Sequence, residues 1–437
     1  MYLTDRFFLV FGCLVGLFAL SFGFGLLFPV AQTVLVLALA LVVTDILLLW
    51  ARRPKLVCNR TLAPVFSLSD PNLVRLSLQN HSNLHLWLTV TDEVPVQFQQ
   101  REVEQHFELA VGKEQLLDYQ LSPMTRGVYT FGNTLVFVAT RLGLVERKMV
   151  LAQAQEVAVY PSIIQMKRFE LKALRHIAHD TGIKKIRRIG HSYEFEQVKN
   201  YTEGDDYRSV NWKASSRRGT LMVNQYEDER SQQVYCIVDK SRVMRMPFGG
   251  LSLMDYAINA TLALSNIILR KNDKAGLITF SDVLGSTLKA SGDPTQLQRI
   301  LEALYRERER PVEANTELLY QAVRSLVSVR SLLLLFTNFE SMYALERALP
   351  HLRRISRSHL LVVIFFENTE IRQLAQQEAK SVADIYQQTV AQGFLQEKKE
   401  MVQKLRQFGI QAVLTKPENL TMNTINKYLE LKSRGLI

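Results

Sequence analysis

The spacing of hydrophobic residues changes twice along this 437-residue chain. Two almost wholly apolar runs come first, over Phe7–Leu27 and Val30–Trp50. Each run contains the roughly 20 residues that an α-helix needs to cross the hydrocarbon core of a bilayer. The pattern therefore predicts a transmembrane helical hairpin, with spans 7–27 and 30–50, within residues 1–55.

Charges beside these runs predict their orientation. Arg6 precedes the first run, basic residues within 52–55 follow the second, and the tip at 25–29 carries no charge. Because Lys and Arg are enriched on the cytoplasmic side of membrane helices, we expect a two-pass protein of the bacterial cytoplasmic (inner) membrane, with its soluble domains in the cytoplasm. Asp45 lies inside the second run and is expected to reach the membrane interface, with an intramembrane partner as the alternative.

Residues 56–160 change to short apolar runs separated by polar turns. In LVRLSL and LWLTV, apolar and polar positions alternate, and β-branched and aromatic residues are frequent. Alternation with a period of two is typical of a strand with one buried face. The segment therefore predicts an antiparallel β-sandwich domain.

From residue 231 onward, strands alternate with helical segments. The strands VYCIVD, LLLLF and LLVVIFF show no polar alternation, as expected for parallel strands that helices cover on both faces. This order predicts an α/β doubly wound domain over residues 231–437. Because ligands of such domains bind at the carboxyl ends of the strands, we expect Asp239–Ser241, Ser281–Asp282 and Asn338 to surround one crevice.

Residues 161–230 join the two domains and hold the densest basic run, between Lys167 and Arg188. This run and the net charge of +11 suit anionic lipid headgroups, and a solvated linker is the alternative. Nucleic acid is not an expected partner, because the run lacks interleaved aromatic residues. The three cysteines form no disulfide or zinc pattern and fit a reducing compartment. Cys236, in VYCIVD, is expected to be a buried thiol.

The segment Gly190–Asp239 concentrates charge to a degree that is unusual for a globular surface. Its densest part contains Asp205, Asp206, Arg208, Trp212, Lys213, Arg217 and Arg218. Two interpretations are open. The side chains neutralise one another in an internal lattice of ion pairs, or the segment is exposed and recognises a partner.

The order of residues in this signature segment resembles the family of domain of unknown function 58, and the resemblance extends over nearly the whole chain. The matching positions are Gly190, Glu194, Phe195, Tyr201, Gly204, Asp205, Asp206, Arg208, Trp212, Lys213, Ala214, Ser215, Arg217, Gly219, Glu227 and Glu229. Lys199 stands where the family usually has Arg, and Asn211 where it usually has Asp, so we expect one ion pair of the family pattern to be missing. The resemblance implies a von Willebrand factor A-like C-terminal domain and association with a MoxR-type AAA+ ATPase.

The von Willebrand factor A fold carries a metal-ion-dependent adhesion site, with D-x-S-x-S after the first strand and a later Thr and Asp. The matching positions are Asp239, Ser241 and Thr316. Val243 replaces the second Ser, and Asn338 replaces the last Asp. Since Mg²⁺ prefers near-octahedral oxygen ligation, the resemblance implies a degenerate, weakened site, with Asp282 and Asn338 as candidate replacement ligands. In the alternative interpretation no metal binds, and Asp239 caps the following turn.

The chain lacks the catalytic motifs G-x-x-x-x-G-K-[ST], H-E-x-x-H and G-x-S-x-G. We therefore expect a non-catalytic, membrane-anchored protein, and the resemblance implies that it is an adaptor for a MoxR-type ATPase. The candidate cations for an acidic partner are Lys240, Arg242 and Arg245. A first alternative is a metal-dependent hydrolase that uses the acidic group Asp205, Asp206, Glu227, Asp228 and Glu229. A second is a structural membrane scaffold.

Overall fold

The structure is a computed structural model that describes residues 1–24, 27–51, 54–99, 103–169, 194–202, 205, 207–227, 231–377 and 381–436. The chain divides into two compact units, Met1–Ile163 and Ile164–Ile437. The first unit contains two long apolar helices and several β-sheets, and the second contains an α/β region. The multi-domain organisation predicted from the hydrophobic pattern is therefore present.

The two N-terminal helices, α1 (Asp5–Gly23) and α2 (Leu27–Ala51), coincide with the two apolar runs. Thr4 caps α1, because its side-chain oxygen accepts a hydrogen bond from the Phe7 backbone N–H. Both helices are long and apolar enough to cross a membrane. Few of their side chains are buried, which distinguishes them from the core helices of a soluble domain.

Strands build the rest of the first unit. In chain order they are β1 (Tyr2–Leu3), β2 (Leu56–Leu62), β3 (Val65–Ser67), β4 (Asn72–Asn80), β5 (Leu86–Asp92), β6 (Val103–Leu109), β7 (Glu114–Leu121), β8 (Gly127–Phe131), β9 (Thr134–Ala139), β10 (Val145–Ala152) and β11 (Gln155–Tyr160). They form sheets with the orders β1-β10-β9-β5-β6, β3-β11-β8 and β2-β4-β7. Burial alternates along β4, as the sequence pattern predicts.

One strand pair departs from the antiparallel arrangement expected for this unit. β3 and β11 are parallel. The buried carboxylate of Asp70 accepts hydrogen bonds at 2.5 Å from the hydroxyl of Ser67, at the end of β3, and from the hydroxyl of Ser162, just after β11. These bonds hold the two strand ends side by side, so the prediction of a purely antiparallel domain is wrong at this pair.

The helical hairpin is attached to the five-stranded sheet through Asp45 of α2. Its fully buried carboxylate accepts hydrogen bonds from the backbone N–H groups of Leu144 (2.9 Å) and Val145 (3.0 Å) and from the Thr140 hydroxyl. β1, just before α1, joins the same sheet by pairing with β10. The turn between β9 and β10 therefore supplies the hydrogen-bond donors for the Asp45 carboxylate.

The signature segment forms two antiparallel strands, β12 (Glu194–Asn200) and β13 (Met222–Glu227), with the short helix α3 (Trp212–Arg218) between them. Of the predicted linker before β12, residues 163–169 are helical. Most of the basic run between Lys167 and Arg188 lies outside the described residues.

The second unit is organised around a mostly parallel sheet. Its strands are β14 (Gln233–Asp239), β17 (Lys274–Phe280), β18 (Leu284–Ser291), β19 (Leu332–Phe336), β20 (Leu360–Phe366) and β21 (Gln411–Thr415), and the short hairpin β15 (Pro247–Phe248) and β16 (Leu251–Ser252) lies outside it. The order is β18-β17-β14-β19-β20-β21. β18 runs antiparallel to β17 at one edge, and the other neighbours are parallel.

Helices lie on both faces of this sheet. They are α4 (Leu253–Arg270), α5 (Gln296–Arg306), α6 (Thr316–Leu326), α7 (Met342–Ser358), α8 (Thr369–Gln376), α9 (Val382–Gln407) and α10 (Leu420–Ser433). Tyr235 and Ile237 of β14 belong to a core cluster with residues of α6, α7 and α9. Cys236, between them, faces Thr261 and Ser265 of α4, and burial raises the pKa of its thiol to about 12. The strand is therefore covered on both sides, and Cys236 is the buried thiol that the sequence predicts.

We predict that Asp45→Asn lowers the free energy of unfolding by about 1–3 kcal/mol, because the amide nitrogen cannot accept the hydrogen bonds that a carboxylate oxygen receives. Thermal unfolding of the full chain in detergent micelles measures the loss. Thr44→Val is the matched control, since the exposed Thr44 hydroxyl bonds within its own helix, to the Leu41 carbonyl. Equal melting temperatures for the two variants would contradict the attachment role of Asp45.

Candidate functional site

Three neighbouring strand ends form the site predicted at the carboxyl edge of the sheet. Asp239 ends β14, Ser281 follows β17 and Thr337 follows β19. β14 lies between β17 and β19, so the three residues are neighbours at one edge. The backbone N–H of Asn315 donates to the Ser281 carbonyl (2.8 Å), which brings Thr316, the first residue of α6, to the same edge.

Asp239 is a fully buried carboxylate whose two oxygens both accept local hydrogen bonds. Oδ2 accepts from the Thr337 hydroxyl (2.7 Å), and Oδ1 accepts from the Ser241 backbone N–H (2.8 Å). Burial raises the pKa of Asp239, because the charged form is poorly solvated, although these bonds oppose the shift. The bond to Ser241 is the one expected if Asp239 caps the following turn. Sequence analysis missed Thr337, whose one signal is its position directly after an apolar strand.

Asn338 stands in the place of the motif's last acidic residue, and its side chain binds a lysine. Its Oδ1 accepts a hydrogen bond from Lys398 Nζ of α9 (3.1 Å), and the same ammonium donates to the Phe339 carbonyl. Burial lowers the pKa of Lys398 to about 8. Sequence analysis did not predict this residue, because it lies 60 residues later in a polar helix and its local pattern matches that of a solvated lysine.

Lys240 is not available to an acidic partner, contrary to the expectation. It is 8% exposed, and its Nζ pairs with Glu307 at 2.8 Å. Glu307 also accepts hydrogen bonds from the Thr279 hydroxyl (2.6 Å) and the Ser286 backbone N–H (2.8 Å). Burial by itself raises the pKa of Glu307, but these hydrogen bonds outweigh burial and lower it. The Lys240 charge is therefore neutralised by Glu307 inside the fold.

The exposed charges at this edge are also paired. The pairs, with N–O distances of 2.8–3.7 Å, are Arg242 with Glu313 and Glu340, Arg245 with Glu309, and Arg310 with Asp282. Arg242 and Arg245, the candidate cations for an acidic partner, are therefore paired with carboxylates that residues 309–340 supply. Asp282 is held by Arg310 and is not a spare ligand.

The donor atoms at this edge do not fit a magnesium site. Mg²⁺ requires near-octahedral ligation by hard oxygens, whereas both oxygens of Asp239 accept local hydrogen bonds and Asp282 is neutralised. At Asn338 the structure has an ammonium in place of an anionic ligand. Among the residues that the structure describes, no three His, Cys, Asp or Glu side chains are grouped to hold a metal ion.

In the signature segment, Lys199, one of the two departures from the family pattern, forms an ion pair with Asp205. Lys199 Nζ lies 2.8 Å from Asp205 Oδ1, and Thr202 donates to Oδ2 through its backbone N–H (2.9 Å) and hydroxyl (2.8 Å). The hydrogen bond from Lys199 contributes most to lowering the pKa of Asp205 to about 2. Asn211 caps α3, because its Oδ1 accepts from the Ala214 backbone N–H (2.9 Å). Both departures from the family pattern therefore keep structural roles.

The surface around α3 is exposed, which contradicts an internal ion-pair lattice for this part of the segment. Trp212 and Tyr207 are each 72% exposed. Lys213 and Arg217 are exposed as well. The described residues therefore match the alternative interpretation, in which the segment faces solvent.

Part of the signature lies outside the described residues, namely Gly190, Gly204, Asp206, Asp228 and Glu229. Glu194 and Phe195 belong to β12, and Glu227 belongs to β13. Asp205, a member of the acidic group of the hydrolase hypothesis, is engaged by Lys199 and Thr202.

We predict that the free energy of unfolding rises with pH between about 8 and 10.5 because of Lys398. In this window the unfolded chain binds a proton that the folded chain has released, so the rise reaches up to about 3 kcal/mol. Urea unfolding of the full chain in detergent, at a series of pH values, compares the wild type with Lys398→Met. The Lys398→Met variant should lack this rise. Lys404→Met should retain it, because Lys404 is a lysine of the same helix, α9, that pairs with Glu346 of α7. An unchanged pH dependence in Lys398→Met would refute the lowered pKa.

Individual relatives cover only parts of the chain. The uncharacterized protein YeaD of Bacillus subtilis is 25% identical over 163 residues, which are 37% of this chain and 38% of that protein. Among solved structures, the conserved hypothetical protein BatB of Bacteroides thetaiotaomicron shares 15% identity and covers 47% of this chain and 99% of its own, with a TM-score of 0.29. A CARDB domain from Pyrococcus furiosus shares 14% identity and covers 25% of this chain and 94% of its own, with a TM-score of 0.20. Scores this low carry no argument about the fold.

A family match covers most of the signature segment and much of the α/β region. The matched residues are 197–391, which include Tyr201, Trp212 and Asp239 and end within α9. The resemblance found in the signature segment is confirmed over this range. Over residues 197–391, the chain is thus similar to the family described as protein of unknown function DUF58.

Proposed function

We propose that this protein is a membrane-anchored, non-catalytic interaction module that docks an AAA+ ATPase of the MoxR type at the carboxyl edge of its α/β sheet. The class of partner comes from the family resemblance. The docking surface comes from one observation, an exposed apolar stripe on the part of α9 that projects past Asn338 and Lys398.

Helix α9 extends beyond the carboxyl edge of the sheet. It connects β20 to the parallel strand β21, so it runs antiparallel to them and begins near their carboxyl ends. Its 26 residues span about 39 Å, whereas the seven residues of β20 span about 23 Å. Lys398 is level with the strand ends, since it binds Asn338 and Phe339. Residues 382–397 of the helix therefore stand above this edge.

The projecting half of α9 carries its apolar side chains on one face. They are Val382 (85% exposed), Ile385 (55%), Tyr386 (73%), Val390 (41%) and Phe394 (47%). Spacings of three and four residues place them along one side of the helix. The opposite side packs on α8, where Ala391 is buried and Gln388 Nε2 donates to the Ala375 carbonyl (3.1 Å). A contiguous apolar stripe in water is typical of a surface that a partner covers.

The state of the nearby charges favours an apolar, metal-independent contact. Domains of the von Willebrand factor A type receive partners at this edge, according to the resemblance. Here Lys240 and Arg242 are already paired, and the donor atoms near Asp239 do not fit Mg²⁺. Recognition would therefore depend on the α9 stripe. A partner can bury this apolar surface without breaking any of these ion pairs.

The N-terminal hairpin supports an anchored position for this module. Both helices are long and apolar enough to cross a bilayer, and the basic flanks of the spans favour soluble domains in the cytoplasm. An AAA+ ATPase works in the compartment that contains ATP. The proposed orientation places the docking surface and the ATPase on the same side of the membrane.

Capture of the full chain from host membranes under mild crosslinking tests this function. We expect a MoxR-type AAA+ ATPase with the wild-type protein, both with magnesium and with a chelator. Ile385→Asp should reduce the captured ATPase about tenfold or more, because it places a charge in an apolar contact. Gln403→Asp is the matched control, since it adds the same charge at an exposed position of α9 beyond Lys398, outside the projecting half that carries the stripe.

Four outcomes would count against the proposal. Absence of any AAA+ ATPase from the wild-type sample would reject the adaptor function. Equal losses with Ile385→Asp and Gln403→Asp would reject the stripe as the docking surface. Capture that disappears with chelator would reject the metal-independent contact. If light scattering shows that Ile385→Asp instead breaks self-association, the scaffold hypothesis takes its place.

A further inference from the structure

A cleft of about 310 Å³ opens at the amino ends of the strands, at the edge of the sheet opposite Asp239. It lies where α6 and α7 end and where β19 and β20 begin, and its lining includes Val327, Arg330 and Ser358. None of the residues assigned to the carboxyl edge contributes to it. It is therefore a second concave surface, separate from the site near Asp239.

Three arginines from three different elements line this cleft. Arg324 comes from the last turn of α6, Arg330 from the loop before β19 and Arg354 from α7. The lining, taken over the described residues, contains no Asp or Glu. Within the same part of the chain, none of these arginines forms an ion pair. The exposed arginines of the carboxyl edge, such as Arg242 and Arg310, are all paired there with carboxylates.

Other groups in the cleft are suited to an anion. Ser328 and Ser358 contribute hydroxyl donors. The guanidinium carbon of Arg354 lies 5.8 Å from the centre of the Tyr320 ring, so this cation is oriented by its contact with the aromatic face.

Helix dipoles do not account for the cluster. A cation in the last turn of a helix offsets the negative end of the dipole, and Arg324 has this position in α6. Arg330 belongs to no helix, and Arg354 lies more than one turn before the end of α7. At least two of the three charges therefore have no counterpart within the described fold.

We propose that this cleft binds the phosphate group of a phosphomonoester through Arg324, Arg330 and Arg354. Guanidinium groups bind phosphate oxygens in a bidentate manner, and several of them can share one dianion. The volume is at the lower end of the range for small-molecule sites, about 300–1,000 Å³. A phosphate with a small apolar or ring-bearing group fits this space, with Val323 and Ile355 as the apolar wall.

Isothermal titration calorimetry with inorganic phosphate tests the site, using the full chain in phosphatidylcholine nanodiscs at constant ionic strength. We expect saturable binding that Arg330→Gln and Arg354→Gln each weaken about tenfold or more. Arg357→Gln is the matched control, because Arg357 is exposed in the last turn of α7 and does not line the cleft. Unchanged melting temperatures will show that the variants remain folded.

A second arm distinguishes a soluble phosphate from a lipid headgroup, since both present a phosphomonoester. The titration is repeated in nanodiscs that contain phosphatidic acid. If phosphate binds equally well in both kinds of nanodisc, the cleft is assigned to a soluble ligand. If binding is blocked only in the nanodiscs with phosphatidic acid, the cleft is assigned to the lipid headgroup. Absence of saturable binding in neutral nanodiscs, or equal weakening by all three variants, would overturn the proposal.

Discussion

The parallel sheet of the second unit is buried on both faces, and this constraint determines where the unit can place its polar groups. The interiors of β14, β19 and β20 are fully apolar and closed to water. An unpaired polar group there would lose its hydration with no compensation. Polar chemistry is therefore confined to the two edges of the sheet, with Asp239 at the carboxyl edge and the arginine cleft at the amino edge.

The two edges use charge in opposite ways. At the carboxyl edge the fold neutralises its own charges, as in the buried Lys240–Glu307 pair and the Arg310–Asp282 pair. A partner gains little from charges that are already satisfied, so the docking proposed at this edge rests on the apolar stripe of α9. At the amino edge the guanidinium groups of Arg330 and Arg354 have no carboxylate partner among the described residues, so they are available to the anion that we propose binds there.

The elements of the fold were predictable because their signals are local. Consecutive residues show whether an element is exposed to lipid, buried on one face or buried on both faces. Examples are the apolar runs of α1 and α2, the alternation along β4 and the unbroken apolar strand β20. The gathering of Asp239, Ser281 and Asn338 was also predictable, since parallel strands end at one edge. The parallel pairing of β3 with β11 was not, because it depends on Asp70 joining two segments distant in sequence.

Sequence alone determined the membrane-length helices, the strand and helix order, and the residues at the carboxyl edge of the sheet, because periodicity and chain order are properties of neighbouring residues. Tertiary structure alone decided what those residues do. The Thr140 hydroxyl and nearby backbone N–H groups donate hydrogen bonds to Asp45. Glu307 forms an ion pair with Lys240, and Lys398 donates a hydrogen bond to Asn338. Each partner lies about 60 or more residues away in the chain. The pairing of a charged side chain depends on which distant segment packs beside it, and no local pattern records that choice.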